Sequence, residues 1–220
     1  MRRSRHKSSA TLRRHEFFPP PAPAPSALPM KTIAIDLDDT LNDFTATLQR
    51  TEFARDEAHP YSEEVFQGYL AKLRRGADDD DVLLSTEYSF FRAKIHQQCY
   101  QRAEPRPGGV AFLQWLRAHD WRIVICTYRD LRRAHDATRA WLQRHGIAFD
   151  HLFMAGNKIV FCRAWGIEHL VDDDPFNAVH GGRYGVKVYY PVAAGRPAGP
   201  AEGGARGFRS FEELIPWIQE

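Results

Sequence analysis

A chain of 220 residues, 43% hydrophobic and 26% charged, has enough apolar material to bury a full core and lacks the bias of a fibrous or wholly disordered protein. Its formal net charge of +2 is uneven: six basic residues face only Glu16 in the first 30 positions, giving +5 there and −3 over the other 190, so the globular part offers no broad nucleic-acid-binding face. Three scattered cysteines (Cys99, Cys126, Cys162) argue against a disulfide framework or a zinc site, and no run approaches the ~18 apolar residues of a membrane span.

Residues 1–29 open on basic and serine positions and continue into Pro19-Pro20-Pro21-Ala22-Pro23-Ala24-Pro25. Such a segment cannot build a core and is expected to stay extended as a disordered tail. It lacks the apolar centre of a secretory signal, so the expected location is the cytoplasm. From Lys31 the pattern becomes regular. Ile33-Ala34-Ile35 is a short apolar run ending in Asp36. The next such run, Ile123 to Cys126 ending in Thr127, is far downstream: 91 positions separate Asp36 from Thr127, more than one crossover needs. Residues 45–103 between them are helix-like and aromatic, and are expected to form a helical cap inserted after the first strand.

A helix is predicted over 108–119, with Val110, Leu113 and Leu116 on one face, and another over 131–145, ending at Gly146. Leu152-Phe153-Met154 is a third apolar run, followed by a helix over 158–165 between Asn157 and Gly166. Leu170-Val171 runs into Asp172-Asp173, and Val186 to Tyr190 makes a fifth strand. A last helix over 210–219 starts at Ser210 with Glu213 three residues on, the spacing of a capping box. Near-continuous apolar strands alternating with helices predict an α/β fold: a doubly wound, parallel, Rossmann-like core formed by 30–44 and 104–220, with 45–103 as the cap.

Asp36, Thr127 and the pair Asp172-Asp173 all fall at C-terminal ends of predicted strands, the edge where open α/β sheets bind ligands. Carboxylates and a hydroxyl converging there suit a hard cation and an oxyanion. Lys158, in the first turn of a helix, opposes the positive end of its dipole unless an anion lies close. Taken singly, Thr127 could equally be a capping hydroxyl and Lys158 a solvated side chain.

Asp36-Leu37-Asp38-Asp39-Thr40, followed in order by a Thr, a Lys and an acidic pair, resembles the DxDxT signature and later motifs of haloacid-dehalogenase phosphatases over about 31–190. The resemblance implies that Asp36 is the nucleophile, Asp38 the general acid and base, and Thr127 and Lys158 the phosphate-binding residues. It implies Mg2+ held by Asp36, the backbone carbonyl of Asp38 and an acid of the last motif. By register that acid is Asp173, with Asp172 beside it in a supporting place and Asp174 third. Within that superfamily the stretches 33–42, 138–142 and 170–177 are similar to the type C 5′-nucleotidase group, including 5′(3′)-deoxyribonucleotidases. Tyr128-Arg129 departs from the pair found in vertebrate members. A small phosphorylated metabolite, such as a nucleotide, is then the expected partner, with no membrane and no stable nucleic-acid partner. A sugar phosphate, or a nucleic-acid-associated role for the basic tail, are the alternatives. Phe44 could stack on a nucleoside or belong to the cap's own core; Arg129 could reach a phosphate or be a surface arginine.

Overall fold

The computed structural model of the protein describes residues 31–50, 96–154, 156–192 and 203–220. The tail over 1–29, the part of the expected cap over 51–95 and its aromatics Phe53, Tyr61, Phe66, Tyr69, Tyr88, Phe90 and Phe91 lie outside these residues.

Six strands form one sheet: β1 (Thr32–Ile35), β2 (Arg122–Thr127), β3 (His151–Met154), β4 (His169–Val171), β5 (Lys187–Pro191) and β6 (Arg206–Phe208). Their spatial order is β3-β2-β1-β4-β5-β6 and each pairing is parallel. Parallel neighbours require crossovers, and helices supply them on both faces. The described helices are α1 (Phe44–Arg50), α2 (Gln97–Arg102), α3 (Gly109–Ala118), α4 (Leu131–Arg144), α5 (Lys158–Ala164), α6 (Pro175–His180) and α7 (Leu214–Gln219).

Alternation along the strands divides the core into two layers. Ile33, Ile35, Ile123 and Ile125 pack with Leu113, Leu116, Trp141, Leu142 and Leu214 on one face, while Ala34, Val124, Cys126 and Leu170 pack with Ile159, Phe161 and Cys162 on the other. Each fully buried aliphatic side chain stabilises the fold by about 1.5–3 kcal/mol. The amphipathic helix α4 begins at Asp130, whose side chain accepts from Arg132 N at 2.9 Å. It ends at Gly146, where φ of +63° lets Ile147 N reach back to Leu142 O at 2.9 Å.

Three local features differ from the sequence reading. The strand β6 has only three residues with Gly207 at its centre, so no apolar run marks it; pairing with β5 creates it. The short helix α6 is started by Asp174, whose side chain accepts from Phe176 N at 2.8 Å, with Pro175 at its first position. At Ser210 no side-chain cap forms; the chain makes a 3-10 turn over Phe211–Glu213 before α7. Among the described residues, no helix is long and apolar enough to cross a membrane.

At the two described ends of the expected cap, α1 and α2 are helical. They leave and rejoin the core side by side: Asn42 bridges Pro105, and Asp43 N donates to Glu104 O at 3.0 Å.

Candidate active site

The chain runs outward from β1 through β2 to β3, then returns to the other side of β1 for β4, so a crevice opens at the C-terminal ends of β1 and β4. The sheet ladder fixes both lips. Asp36 N donates to Val171 O at 2.9 Å, and Asp172 N to Tyr189 O at 2.9 Å, each one residue beyond its strand. From the first turn of α5, Lys158 reaches between them. Its ammonium lies 3.1 Å from Asp36 Oδ1 and 2.7 Å from Asp172 Oδ2, with all three residues buried. Burial alone would discharge this lysine, but the Asp36 and Asp172 carboxylates more than offset it and hold its pKa above the ordinary value.

The loop after β1 is wound tightly around one carbonyl: Leu37 O accepts from Thr40 N, Leu41 N and Asn42 N at 3.3, 2.9 and 3.0 Å. Asp39 takes a left-handed conformation there (φ +58°), held by Thr45, whose N donates to Asp39 Oδ1 at 2.8 Å. The loop places Thr40 against the second lip, where its hydroxyl donates to Asp173 Oδ1 at 3.1 Å and lies 3.0 Å from the donating Asp173 N. Thr40, which has no role of its own in the sequence, ties the two acidic loops together.

One carboxylate oxygen from each of Asp36, Asp172 and Asp173 lies within 4.8 Å of the others. Three carboxylates against one ammonium leave two negative charges. The strain is visible in the acids: burial, only partly countered by Lys158, together with Asp172 and Asp173, pushes Asp36 well above the usual carboxylate range. Burial first, then Asp172, raises Asp173 to about 6. An all-oxygen donor set with surplus negative charge fits a hard divalent cation. The three candidates in the last motif differ in what they have left to give, and Asp174 is taken up in capping α6. Asp172 accepts from Asp174 N at 2.9 Å on one oxygen and meets Lys158 with the other. Asp173 is bonded to Thr40 through Oδ1, which leaves Oδ2 to give.

Thr127, the last residue of β2, is buried, and its hydroxyl has no hydrogen-bond partner among the described residues. An unpaired buried hydroxyl is costly and suits a site that receives an oxyanion. Tyr128 beside it is 59% exposed, with its ring close to Gly156.

Two side chains sit differently from the sequence reading. Arg129 is not a surface arginine: its side chain is 0% exposed and its Nε donates to Asp38 Oδ2 at 2.8 Å. Phe44 is 9% exposed, stacked on Tyr100 with ring centroids 5.2 Å apart and edge-on to His96.

No protein-family model and no curated protein sequence matches the chain. Solved structures do. A haloacid-dehalogenase-like hydrolase from Streptococcus pneumoniae is 16% identical, with 86% of this chain and 99% of that one covered and a TM-score of 0.55. A protein assigned to the haloacid-dehalogenase hydrolases from Bacillus subtilis, bound to magnesium, is 16% identical over 86% of this chain and 99% of that one, with a TM-score of 0.57. The L-2-haloacid dehalogenase from Xanthobacter autotrophicus, with chloropropionic acid covalently bound, is 16% identical over 86% and 98% of the two chains at a TM-score of 0.53. At this identity the likeness is one of fold. The chain has the α/β fold of haloacid-dehalogenase-type hydrolases.

Proposed function

We propose that the protein is a magnesium-dependent phosphomonoester hydrolase of the haloacid-dehalogenase type, working through an aspartyl-phosphate on Asp36. The observation that carries this reading is the buried Lys158, bonded between Asp36 and Asp172 beside Asp173, on the sheet edge where Thr127 offers an unpaired hydroxyl. The side chains of Asp36 and Asp173 and the backbone carbonyl of Asp38 would hold the ion, and Asp172 keeps Lys158 in place. Bound magnesium would offset the repulsion between an anionic nucleophile and a dianionic phosphoryl group.

An Asp36 oxygen bonds to phosphorus as the ester P–O bond breaks, and the proton carried by Asp38 goes to the departing oxygen. Water then attacks the phosphorus of the aspartyl-phosphate and gives its proton to Asp38. The P–O bond to Asp36 breaks, restoring its carboxylate and releasing inorganic phosphate. Lys158 balances charge on the nucleophile and the phosphoryl oxygens throughout, and Thr127 donates its hydroxyl to one of those oxygens. Displacing a halide from carbon needs no proton on the leaving group, so the Asp38 carboxylate at the site favours an ester over a haloacid.

The substrate class we infer is a (deoxy)nucleoside 5′-monophosphate. Support comes from the likeness of 33–42, 138–142 and 170–177 to type C 5′-nucleotidases and from the exposed Tyr128 ring next to Thr127. A panel of nucleoside monophosphates, sugar phosphates, nitrophenyl phosphate and 2-chloropropionate tests both levels. Phosphate release from monoesters, fastest from nucleotides, is expected. Preference for sugar phosphates would retire the nucleotidase reading alone, and chloride release without phosphatase activity would retire the whole.

A further inference from the structure

Arg129 is enclosed beside the crevice, and each of its three guanidinium nitrogens has a partner. Nε donates to Asp38 Oδ2 at 2.8 Å, and Nη2 donates to Asp38 Oδ1 on the same edge. Nη1 donates to the Thr138 hydroxyl of α4 at 3.0 Å. The flat face lies 4.0 Å from the ring of Tyr100 on α2. That helix is itself clipped to α4: Gln97 Nε2 donates to Arg133 O at 2.7 Å, and Trp141 Nε1 donates to Ala103 O at 2.6 Å. Tyr100 is therefore a fixed wall behind the guanidinium. The Arg129 side chain is 0% exposed, whereas that of Asp38 keeps 24%. A guanidinium so enclosed needs fixed acceptors for its N–H groups, and a planar fork fixes a carboxyl group in both position and tilt.

We propose that Arg129 is a positioning residue for Asp38 and does not bind the phosphoryl group. It grips the carboxylate from the protein side, braced by Thr138 and Tyr100, and so leaves one orientation of Asp38 facing the crevice. The two oxygens are then unequal. Oδ1 accepts from Arg129 and also lies 3.4 Å from Asn42 Nδ2, whereas Oδ2 accepts from Arg129 Nε alone. Oδ2 therefore has the spare lone pair that carries the proton to and from the leaving oxygen. This assignment rests on the phosphatase reading above and deepens it: Arg129 acts only on the step in which Asp38 acts.

The test is leaving-group dependence. In Arg129→Met, kcat/KM for an alkyl phosphate, which needs a proton on its leaving oxygen, should fall on the order of 10²-fold. For nitrophenyl phosphate, which needs little protonation, the loss should stay below about tenfold, and inhibition by inorganic phosphate should be unchanged. In an Asp38→Asn background the same change should add little, because Arg129 works through Asp38. Arg129→Lys, which keeps the charge but not the fork, should show an intermediate ratio. Should Arg129→Met fail to fold, Arg129→Lys and Tyr100→Leu are read by the same ratio, and an unchanged ratio in both overturns the proposal. Equal losses on both esters with weakened phosphate inhibition would make Arg129 a phosphate ligand and overturn it as well, as would full additivity with Asp38→Asn. Wild-type protein inert towards every phosphate ester would overturn the function and this inference together. Active wild type with an unchanged ratio overturns the inference alone.

Discussion

Lys158 shows how one side chain can carry a site. It stands in the first turn of a helix, against the dipole, and is buried between two carboxylates that hold it charged. Lys158→Met should lower kcat on the order of 10²–10³-fold, since it removes a preorganised charge from the phosphoryl group. Steady-state rates at saturating magnesium would show it, and a loss confined to KM would contradict the role. The neighbouring acids should part company in a magnesium titration. Asp173→Asn should raise the magnesium concentration needed for half-maximal rate by about 10–100-fold. Asp172→Asn, whose partners are Asp174 N and Lys158, should lower kcat with a smaller effect on the metal requirement. Equal shifts in both variants would argue against this division. Much of this group stands in the sequence, because each member ends an apolar run or starts a helix. The pairing of Arg129 with Asp38 does not: it joins positions 91 apart that the parallel pairing of β1 with β2 brings together, and nothing local distinguishes Arg129 from a solvated arginine.

At the scale of the elements, the corner between α6 and β5 is tightly packed. A Cβ on Gly181 would meet Val188 Cγ2 at 2.3 Å and the backbone oxygen of Val186 at 2.9 Å. Gly181→Ala should therefore destabilise the fold by about 1–3 kcal/mol while leaving the chemistry in place, visible as a lower denaturant midpoint with kcat retained below the transition. A neutral effect on the midpoint would mean that the corner relaxes. Little in the sequence marks this corner. The five strands β1 to β5 announce themselves as apolar runs because a parallel sheet is covered on both faces. The strand β6 owes its existence to the free edge of β5, and α6 to the cap made by Asp174, a residue that reads as part of the acidic motif. The failure of the Ser210 capping box has the same origin. Its spacing is right, yet Phe211 is buried with Phe112 and Phe208, and the chain opens into a 3-10 turn.

For the whole molecule, stability should depend on pH through β4. Burial, with Lys187 adding to it, pushes His169 from an ordinary 6.5 down to about 4, and its ring lies 3.0 Å from the Tyr189 hydroxyl. Above pH 6.5 the imidazole is neutral in both folded and unfolded chains, and the stability is fully present. Between 6.5 and 4 the unfolded chain takes up a proton that the fold refuses, so stability falls as the pH falls. Asp173, raised to about 6, acts in the opposite sense below that value, so the comparison is with His169→Gln, whose melting temperature should vary less across the window. An identical profile would remove His169 as the cause. The chemistry of Asp36 is tested by phosphate release from nitrophenyl phosphate by wild type and Asp36→Asn, with magnesium, with EDTA, and with magnesium restored. The expected result is turnover by wild type that EDTA abolishes and magnesium restores, and none by Asp36→Asn although its melting transition remains cooperative. Appreciable turnover by folded Asp36→Asn, or a wild type running at full rate in EDTA, would contradict the account.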